Sequence, residues 1–397
     1  MLIRNGMEER AARHYRREAE CDVAALEALT TRETQLADYP LAAAVEKNVL
    51  IYDCARLEAM LGKAEERRLV MAEWVEALSA GPGVVVLKGA ERDHAMIDRA
   101  SDLFRAMIAE QNRTGSGGGD HFAKPGANDR VWNALEKHCL ADPENFARYY
   151  GNPYLDLISE AWLGPNYQMT AQLNVVNPGG EAQAPHRDYH LGFASAAAIE
   201  RYPLHVHLLS PVLTLQGAIA HVDAPMETGP TLLLPFSQLW PEGYLGMGRE
   251  DVRAHFAAHH VQLPLEKGDM LFFSPALLHA AGANRSLDVK RMVNLFQVSS
   301  AFGRAMETVD RARMVMALYP ALLTGRTEGW LTPAQSAAAL AAAAEGYSFP
   351  TNLDRDPPVG GMAPRSQASL VGEALEAGYT VEALGASLDR QAEKKLS

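Results

Sequence analysis

Gln168-Met-Thr-Ala-Gln-Leu-Asn-Val-Val176, the turn Asn177-Pro-Gly-Gly180 and then His186-Arg-Asp188 form the stretch whose reading decides the fold. The nine residues before the turn have the length of a strand, and Thr170, Gln172 and Asn174 alternate with less polar neighbours, so period two sends them to one face. With aromatic Tyr189 and Phe193 just beyond, that polar face reads as the mouth of a barrel. Further short apolar runs continue to Phe302: His205 to Leu209, Thr214 to Val222, Thr231 to Leu234, Met270 to Phe273 and Arg291 to Ser299, with Pro/Gly turns between them. Short strands separated by turn signals predict an antiparallel sandwich or jelly-roll barrel rather than a parallel α/β sheet. Neither GxGxxG nor GxxxxGK(S/T) is present to suggest a nucleotide fold.

Upstream, Glu8 to Ala80 is rich in Ala, Leu, Glu and Arg, with apolar positions three and four apart at Leu57, Met60, Leu61 and again around Leu69, Trp74 and Leu78. That spacing predicts helix. Gly81-Pro82-Gly83 breaks the pattern, and Val84 to Leu87 reads as a short buried strand that opens the main domain. Helical stretches are expected from Ala95 to Gln111 and from Pro143 to Leu163. Between them Thr114-Gly-Ser-Gly-Gly-Gly-Asp120 reads as a mobile loop, either an active-site lid or a solvated connector. After Arg304 the chain turns helical again, including Ser336 to Ala344. A Pro/Gly loop from Asp356 to Pro364 leads to an amphipathic helix near Leu370 to Leu388. The expected class is α+β: an antiparallel sandwich or jelly-roll barrel core over 81–305, between helical extensions at 1–80 and 306–397 that cap the barrel, close over substrate or pair subunits.

The 397 residues carry a formal charge of -12 and no long Lys/Arg-rich run, which argues against binding a phosphate backbone and makes nucleic acid an unlikely partner. Met1 to Glu18 is polar where a secretory signal would be apolar, and no apolar run is long enough to span a bilayer, so a cytoplasmic protein without a membrane role is expected. Cys21, Cys54 and Cys139 lack CxxC spacing and read as buried or neutral thiols, not as a disulfide framework or a zinc site.

A lone HxD is weak evidence in a chain with 13 histidines, and this one has two, His186-Arg-Asp188 and His221-Val-Asp223, besides His205-Val-His207. In a strand, residues two apart share a face, so each pair can aim two ligands at one metal. Context favours the pair at 186, which follows the polar-faced strand and its turn. Downstream, Lys267-Gly-Asp269 turns into the apolar strand Met270 to Phe273, and Pro275 to Leu278 leads to His279. Two histidines and a carboxylate on one face of an octahedral ion leave three positions open for a bidentate cosubstrate and dioxygen, as iron(II) oxygenases require. A distal cosubstrate carboxylate in a buried pocket calls for a guanidinium fork, and Arg291 opens the strand after His279. Arg285 sits in the turn Ala283-Asn-Arg-Ser286 and is expected to face solvent.

The order of features, an HxD after a Pro-Gly turn, Glu227-Thr-Gly-Pro230 leading into Thr231-Leu-Leu-Leu-Pro235 with Phe236-Ser-Gln238, then Gly268-Asp269, His279, Gly282, Asn284 and Arg291, resembles the phytanoyl-CoA dioxygenase family. The resemblance covers roughly residues 81 to 305 and implies a double-stranded β-helix (jelly-roll, cupin-like) core there. The family's middle segment usually reads close to N-G-x-L-x-x-x-P-G-S-H, and this chain has Thr228, Phe236 and Gln238 at the Asn, Gly and His positions. The resemblance implies iron(II) held by His186, Asp188 and His279, and 2-oxoglutarate paired with Arg291, with Gln172 and Asn174, and behind them Thr231 and Ser299, as further cosubstrate contacts. It implies oxidation of a small-molecule substrate by molecular oxygen, with release of succinate and CO2. Because Asp188 is present where halogenating members carry a small residue, hydroxylation or a related oxidation is the expected outcome. Homo-oligomers are possible under this reading. The resemblance also assigns His221-Val-Asp223 to a strand without metal duty. His205 and His207 are expected as strand residues beside the core, and His259-His260 as exposed helix-end or loop residues. Two other readings use some of the same residues. A zinc hydrolase lacks an HExxH and gives Arg291 no role, and a catalytically inactive barrel would serve as a ligand-binding or interaction module.

Overall fold

The computed structural model of the chain describes residues 2–115 and 126–397. From residue 116 onward the glycine-rich run, and with it the choice between lid and connector, lies outside the described residues. The chain forms two compact units, the first comprising residues 2–92, 126–130 and 174–296, the second 93–115, 131–173 and 297–397.

Ten strands are present among the described residues: β1 (Ala44–Glu46), β2 (Val49–Asp53), β3 (Val84–Lys88), β4 (Asn128–Val131), β5 (Gln168–Val176), β6 (Thr214–Ala220), β7 (Leu232–Leu233), β8 (Met270–Phe273), β9 (His279–Ala280) and β10 (Arg291–Ser299). Eight form one sheet in the order β1-β2-β3-β8-β6-β10-β5-β4, and β7 pairs with β9 in a second. Isolated antiparallel bridges extend the small sheet's layer, His186 to His279, Leu233 to Val261 and Ala224 to Leu265. The chain therefore alternates between layers. It passes from β5 to the His186 bridge, back to β6, over to β7, back to β8, over to β9 and back to β10. That winding is the expected double-stranded β-helix.

The core of the first unit follows from strand periodicity. Val49 and Ile51 of β2, Val84 and Val86 of β3, and Leu271 and Phe273 of β8 are each two apart, and they bury one face together with Leu233, Leu263 and Leu265 of the small layer. The opposite face of β2 carries Tyr52, which meets Trp74 edge-on at 5.9 Å. Trp74 belongs to the helix Ala64–Ser79, whose buried residues Val70, Trp74, Ala77 and Leu78 recur at helical spacing.

Three sequence readings are corrected here. The helical reading of Glu8 to Ala80 fails at 44–53, where β1 and β2 form a hairpin and β2 adds to β3 in parallel. Its tight turn is Lys47-Asn48, both at positive φ (50° and 70°), the conformation that two-residue hairpins need. The strand expected at His205 to Leu209 is instead the helix Leu204–Val212. Four residues of apolar/His alternation imitate period two, but the residues that it buries, His207 and Ser210, are three apart. The strand expected at Thr231 to Leu234 shortens to Leu232–Leu233.

The second unit is helical apart from the strand segments that enter it. Its expected long helices are divided where the sequence supplies stops. Pro143–Tyr150 and Pro153–Leu163 are separated by Gly151 and by Asn152, whose Oδ1 accepts from Tyr154 and Leu155 N–H at 2.9 and 3.1 Å. Gln367–Ala377 and Val381–Lys395 are separated at Gly378, which is left-handed (φ 64°). At this unit's centre His138 is fully buried among Phe104, Phe146, Tyr149 and Tyr150. Burial pushes its imidazole down to about 4, so it is a neutral packing residue.

Candidate metal and cosubstrate site

His186 and His279 face each other across the antiparallel bridge. Each backbone N–H donates to the other's carbonyl, at 3.0 and 3.1 Å, which places both side chains on one face with ring centroids 4.5 Å apart. Each Nδ1 lies near a carbonyl two residues back, Ala184 O at 2.9 Å and Leu277 O at 2.8 Å. A carbonyl only accepts, so each Nδ1 carries a proton, and in the neutral ring this places the lone pair on Nε2. Both lone pairs face Asp188: His186 Nε2 is 3.7 Å from Oδ1 and His279 Nε2 is 3.4 Å from Oδ2. One ligand atom from each of the three residues lies within 4.8 Å of the others. Three electron-pair donors converging at this range repel one another unless a cation stands between them, so the donor set fits a divalent metal that accepts imidazole and carboxylate. Without a metal, burial disfavours the Asp188 charge, but His279 and His186 in their protonated form, together with the Gln216 amide, outweigh it and hold the carboxyl well below the usual carboxylate range; a bound cation takes the place of those protons.

The turn that carries Asp188 is fixed from below. Asp188 N–H donates to Pro275 O at 3.1 Å. The next two residues, Tyr189 and His190, take positive φ (64° and 38°), which costs a non-glycine residue roughly 1–2 kcal/mol. Arg187, only 2% exposed, points away from the metal side. Its Nη2 donates to Ser237 O at 2.5 Å and Trp240 O at 3.1 Å, and its guanidinium lies 5.3 Å from the centre of the Tyr244 ring. Tyr244 Oη in turn donates to Asp188 O at 3.2 Å. Gly243 makes room for this anchor, because a Cβ there would stand 1.8 Å from Arg187 Cζ. Gly243→Ala is accordingly expected to cost about 2–3 kcal/mol of stability through overpacking and to weaken divalent-metal binding, because Arg187 must move. Chemical denaturation and Mn(II) titration of the variant check both effects.

Arg291 begins β10 and is 5% exposed. Its Nη1 donates to Thr228 O at 3.1 Å and Gly282 O at 3.3 Å, and among the described residues no carboxylate pairs with it. Burial pushes its guanidinium down to about 10. Those two carbonyls come from backbones pressed together at glycines. A Cβ on Gly229 (φ 70°) would fall 2.2 Å from Ala283 O, and one on Gly282 would fall 2.6 Å from Gly229 O. Arg285 is exposed, as expected.

The other expected site residues are distributed as follows. Asn174, near the end of β5, is buried with its Oδ1 lacking a hydrogen-bond partner. Thr231 is half-buried just before β7. Gln172 and Ser299 fall in the second unit. Gln172 is buried with Nε2 3.8 Å from the Met306 sulfur, and the Ser299 hydroxyl is buried without a hydrogen-bond partner. Of the two aromatic residues expected at the mouth, Phe193 is exposed and Tyr189 is buried. The rival pair does not join a metal-capable group among the described residues. His221 is buried, and Asp223 Oδ1 accepts from Lys267 N–H at 2.9 Å, bracing the turn into β8. At the positions departing from the family's usual pattern, Phe236 takes a left-handed φ of 68° under the Arg32 guanidinium, and Gln238 Nε2 donates to Gly81 O at 2.8 Å. Both brace the turn before β3.

Sequence reasoning missed Gln216 and Arg187. Gln216 Nε2 donates to Asp188 Oδ2 at 2.5 Å. The one available signal was a buried-length amide in the middle of Thr214-Leu-Gln-Gly-Ala-Ile-Ala220. Nothing in the sequence marks Arg187 as turned inward.

A family model for phytanoyl-CoA dioxygenase (PhyH) matches residues 62–292. The chain belongs to this family. The phytanoyl-CoA dioxygenase match contains His186, Asp188, Gln216, His279 and Arg291, ending one residue past the last. Among curated proteins, Dioxygenase andF of Emericella variicolor is 29% identical over 147 residues, 35% of this chain and 45% of its own length. Dioxygenase trt7 of Aspergillus terreus is 27% identical over 165 residues, 42% of this chain and 47% of its own. The chain thus spans about half the length of the curated relatives it matches. A solved structure, the non-heme alpha-ketoglutarate-dependent epimerase SnoN from nogalamycin biosynthesis, aligns over 60% of this chain and 85% of its own with a TM-score of 0.43 and 19% identity. No helix among the described residues of this phytanoyl-CoA dioxygenase family member is long and apolar enough to cross a membrane.

Proposed function

We propose that the protein is a non-haem iron(II)- and 2-oxoglutarate-dependent dioxygenase that hydroxylates a small molecule in the cytoplasm, releasing succinate and CO2. The observation that carries this reading is the pairing of a three-donor metal face with Arg291, a buried cation with no anionic partner among the described residues. In this reading His186 Nε2, His279 Nε2 and Asp188 hold the metal on one side and leave its remaining positions free. Iron(II) and 2-oxoglutarate, when bound, supply the oxidising power with dioxygen as oxidant. Arg291 would donate to the far carboxylate of the cosubstrate in a low-dielectric pocket where a charge-assisted fork is strong. Asn174 and Thr231 are further candidate contacts, and exposed Phe193 stands where substrate enters. The Nδ1–H bonds to Ala184 and Leu277 keep both imidazoles oriented, so no ring rotation is needed on metal loading. No side chain has to act as a general base.

A zinc hydrolase would use the same three donors, but Arg291 would then remain a buried charge without purpose, which is costly. The thiols of Cys21, Cys54 and Cys139 are free and buried, and burial pushes those of Cys21 and Cys139 up to about 12, consistent with a compartment that does not form disulfides. The test is anaerobic addition of iron(II) and 2-oxoglutarate to metal-free protein, following the visible charge-transfer band of the chelate. A band that His186→Ala abolishes supports the proposal. Tight zinc binding with no band would defeat it.

A further inference from the structure

Gln216 sits in the middle of β6 opposite Phe273 of β8, 6% exposed, on a strand whose other residues are apolar except Thr214. Its Nε2 donates to Asp188 Oδ2, while its own Oε1 is buried with no hydrogen-bond partner. The amide cannot be turned over, because Oε1 against an ionised carboxylate would set acceptor against acceptor. The neighbouring backbone is also held. A Cβ on Gly217 would fall 2.3 Å from the Phe272 ring, so β6 and β8 are in close contact at this point. An unpaired buried acceptor costs on the order of 1–3 kcal/mol, and a leucine of similar size would avoid it. The bond to Asp188 offsets that cost, and it also selects one oxygen. The amide takes one lone pair of Oδ2, whereas among the described residues no hydrogen bond is donated to Oδ1.

We infer that Gln216 is a positioning residue that holds Asp188 as a one-oxygen ligand, presenting Oδ1 and keeping Oδ2 engaged. The inference rests on the proposed metal site and deepens it. A carboxylate gripping the metal through both oxygens would occupy one of the positions that a bidentate cosubstrate and dioxygen need. Gln216 thereby preserves room for the cosubstrate without touching it.

The test compares Gln216→Leu and Gln216→Met, both without a donor and near in volume, with the unmodified full-length protein. Mn(II) affinity is measured by calorimetry, 2-oxoglutarate affinity at saturating Mn(II), and Tm without metal. The expected result is a Tm equal to or above that of the unmodified protein, with Mn(II) Kd raised about 10- to 100-fold, the range for loss of a partner behind a metal ligand. 2-Oxoglutarate binding at saturating metal should also weaken in both variants. Unchanged Mn(II) and 2-oxoglutarate affinities in both variants would overturn the role of Gln216 while leaving the metal site standing. Absence of Mn(II) binding to the unmodified protein would overturn the site reading itself, and this inference with it.

Discussion

His279→Ala is expected to reduce metal-dependent turnover by about 10³-fold or more, equivalent to about 4 kcal/mol at 1.36 kcal/mol per tenfold. The side chain supplies one of the three converging donors, and its Nε2 stands 3.4 Å from Asp188. The fold should survive, because the contacts that align the small layer at this point are backbone bonds with His186, which alanine retains. The ring packs edge-on to Phe273 at 4.7 Å, so a modest loss of stability accompanies the substitution. His221→Ala is the matched control. It removes the rival histidine, buried to a similar degree, and should leave metal affinity within about twofold, since only packing and hydrogen-bonding terms away from the metal change. Mn(II) titration of both variants, alongside turnover once a substrate is found, decides between them. A His221 variant that loses metal while the His279 variant keeps it would reverse the assignment.

Arg291→Met should separate stability from binding. A buried guanidinium with only two carbonyl acceptors and no anion is a net cost to the folded protein. Replacing buried charges by apolar groups of similar volume is often neutral or stabilising by about 1–4 kcal/mol. The variant's metal-free Tm should therefore hold or rise. Its 2-oxoglutarate affinity should fall by about 100-fold or more, because truncating one partner of a buried charge pair costs roughly 2–5 kcal/mol. The linkage also has a sign. With its folded value held down to about 10, below the ordinary arginine range, Arg291 favours unfolding once charged, and that penalty lessens only above pH 10. At neutral pH the penalty is fully present, and the substitution relieves it there. Denaturant melts in the absence of metal, and calorimetry with 2-oxoglutarate at saturating Mn(II), report the two quantities. A variant that is less stable yet binds 2-oxoglutarate normally would show that Arg291 is a structural anchor for the Thr228 and Gly282 turns and nothing more.

Much of the fold was legible because it depends on local pattern. The strands Gln168–Val176, Met270–Phe273 and Arg291–Ser299 stand where length and turn signals placed them. The hairpin at 44–53 was hidden because Ala- and Glu-rich flanks dominate its window, although Lys47-Asn48 carries a turn signal. Its strand status is conferred by pairing with β3 thirty-odd residues later. The helix Leu204–Val212 was misread because alternation over four residues carries too little information to separate the two periods.

By itself the sequence determined the extent of the strands Gln168–Val176, Met270–Phe273 and Arg291–Ser299, that an HxD follows the first of them, and which histidine and arginine downstream could join it, since spacing and turn chemistry are properties of neighbouring residues. It could not determine that His186 and His279, ninety-odd positions apart, exchange backbone bonds, that Asp223 braces a turn, that Arg187 points inward, or that Gln216 reaches Asp188. Only the tertiary structure decided these. Convergence of side chains from strands in two layers depends on how the layers wind and register, and no local periodicity encodes that.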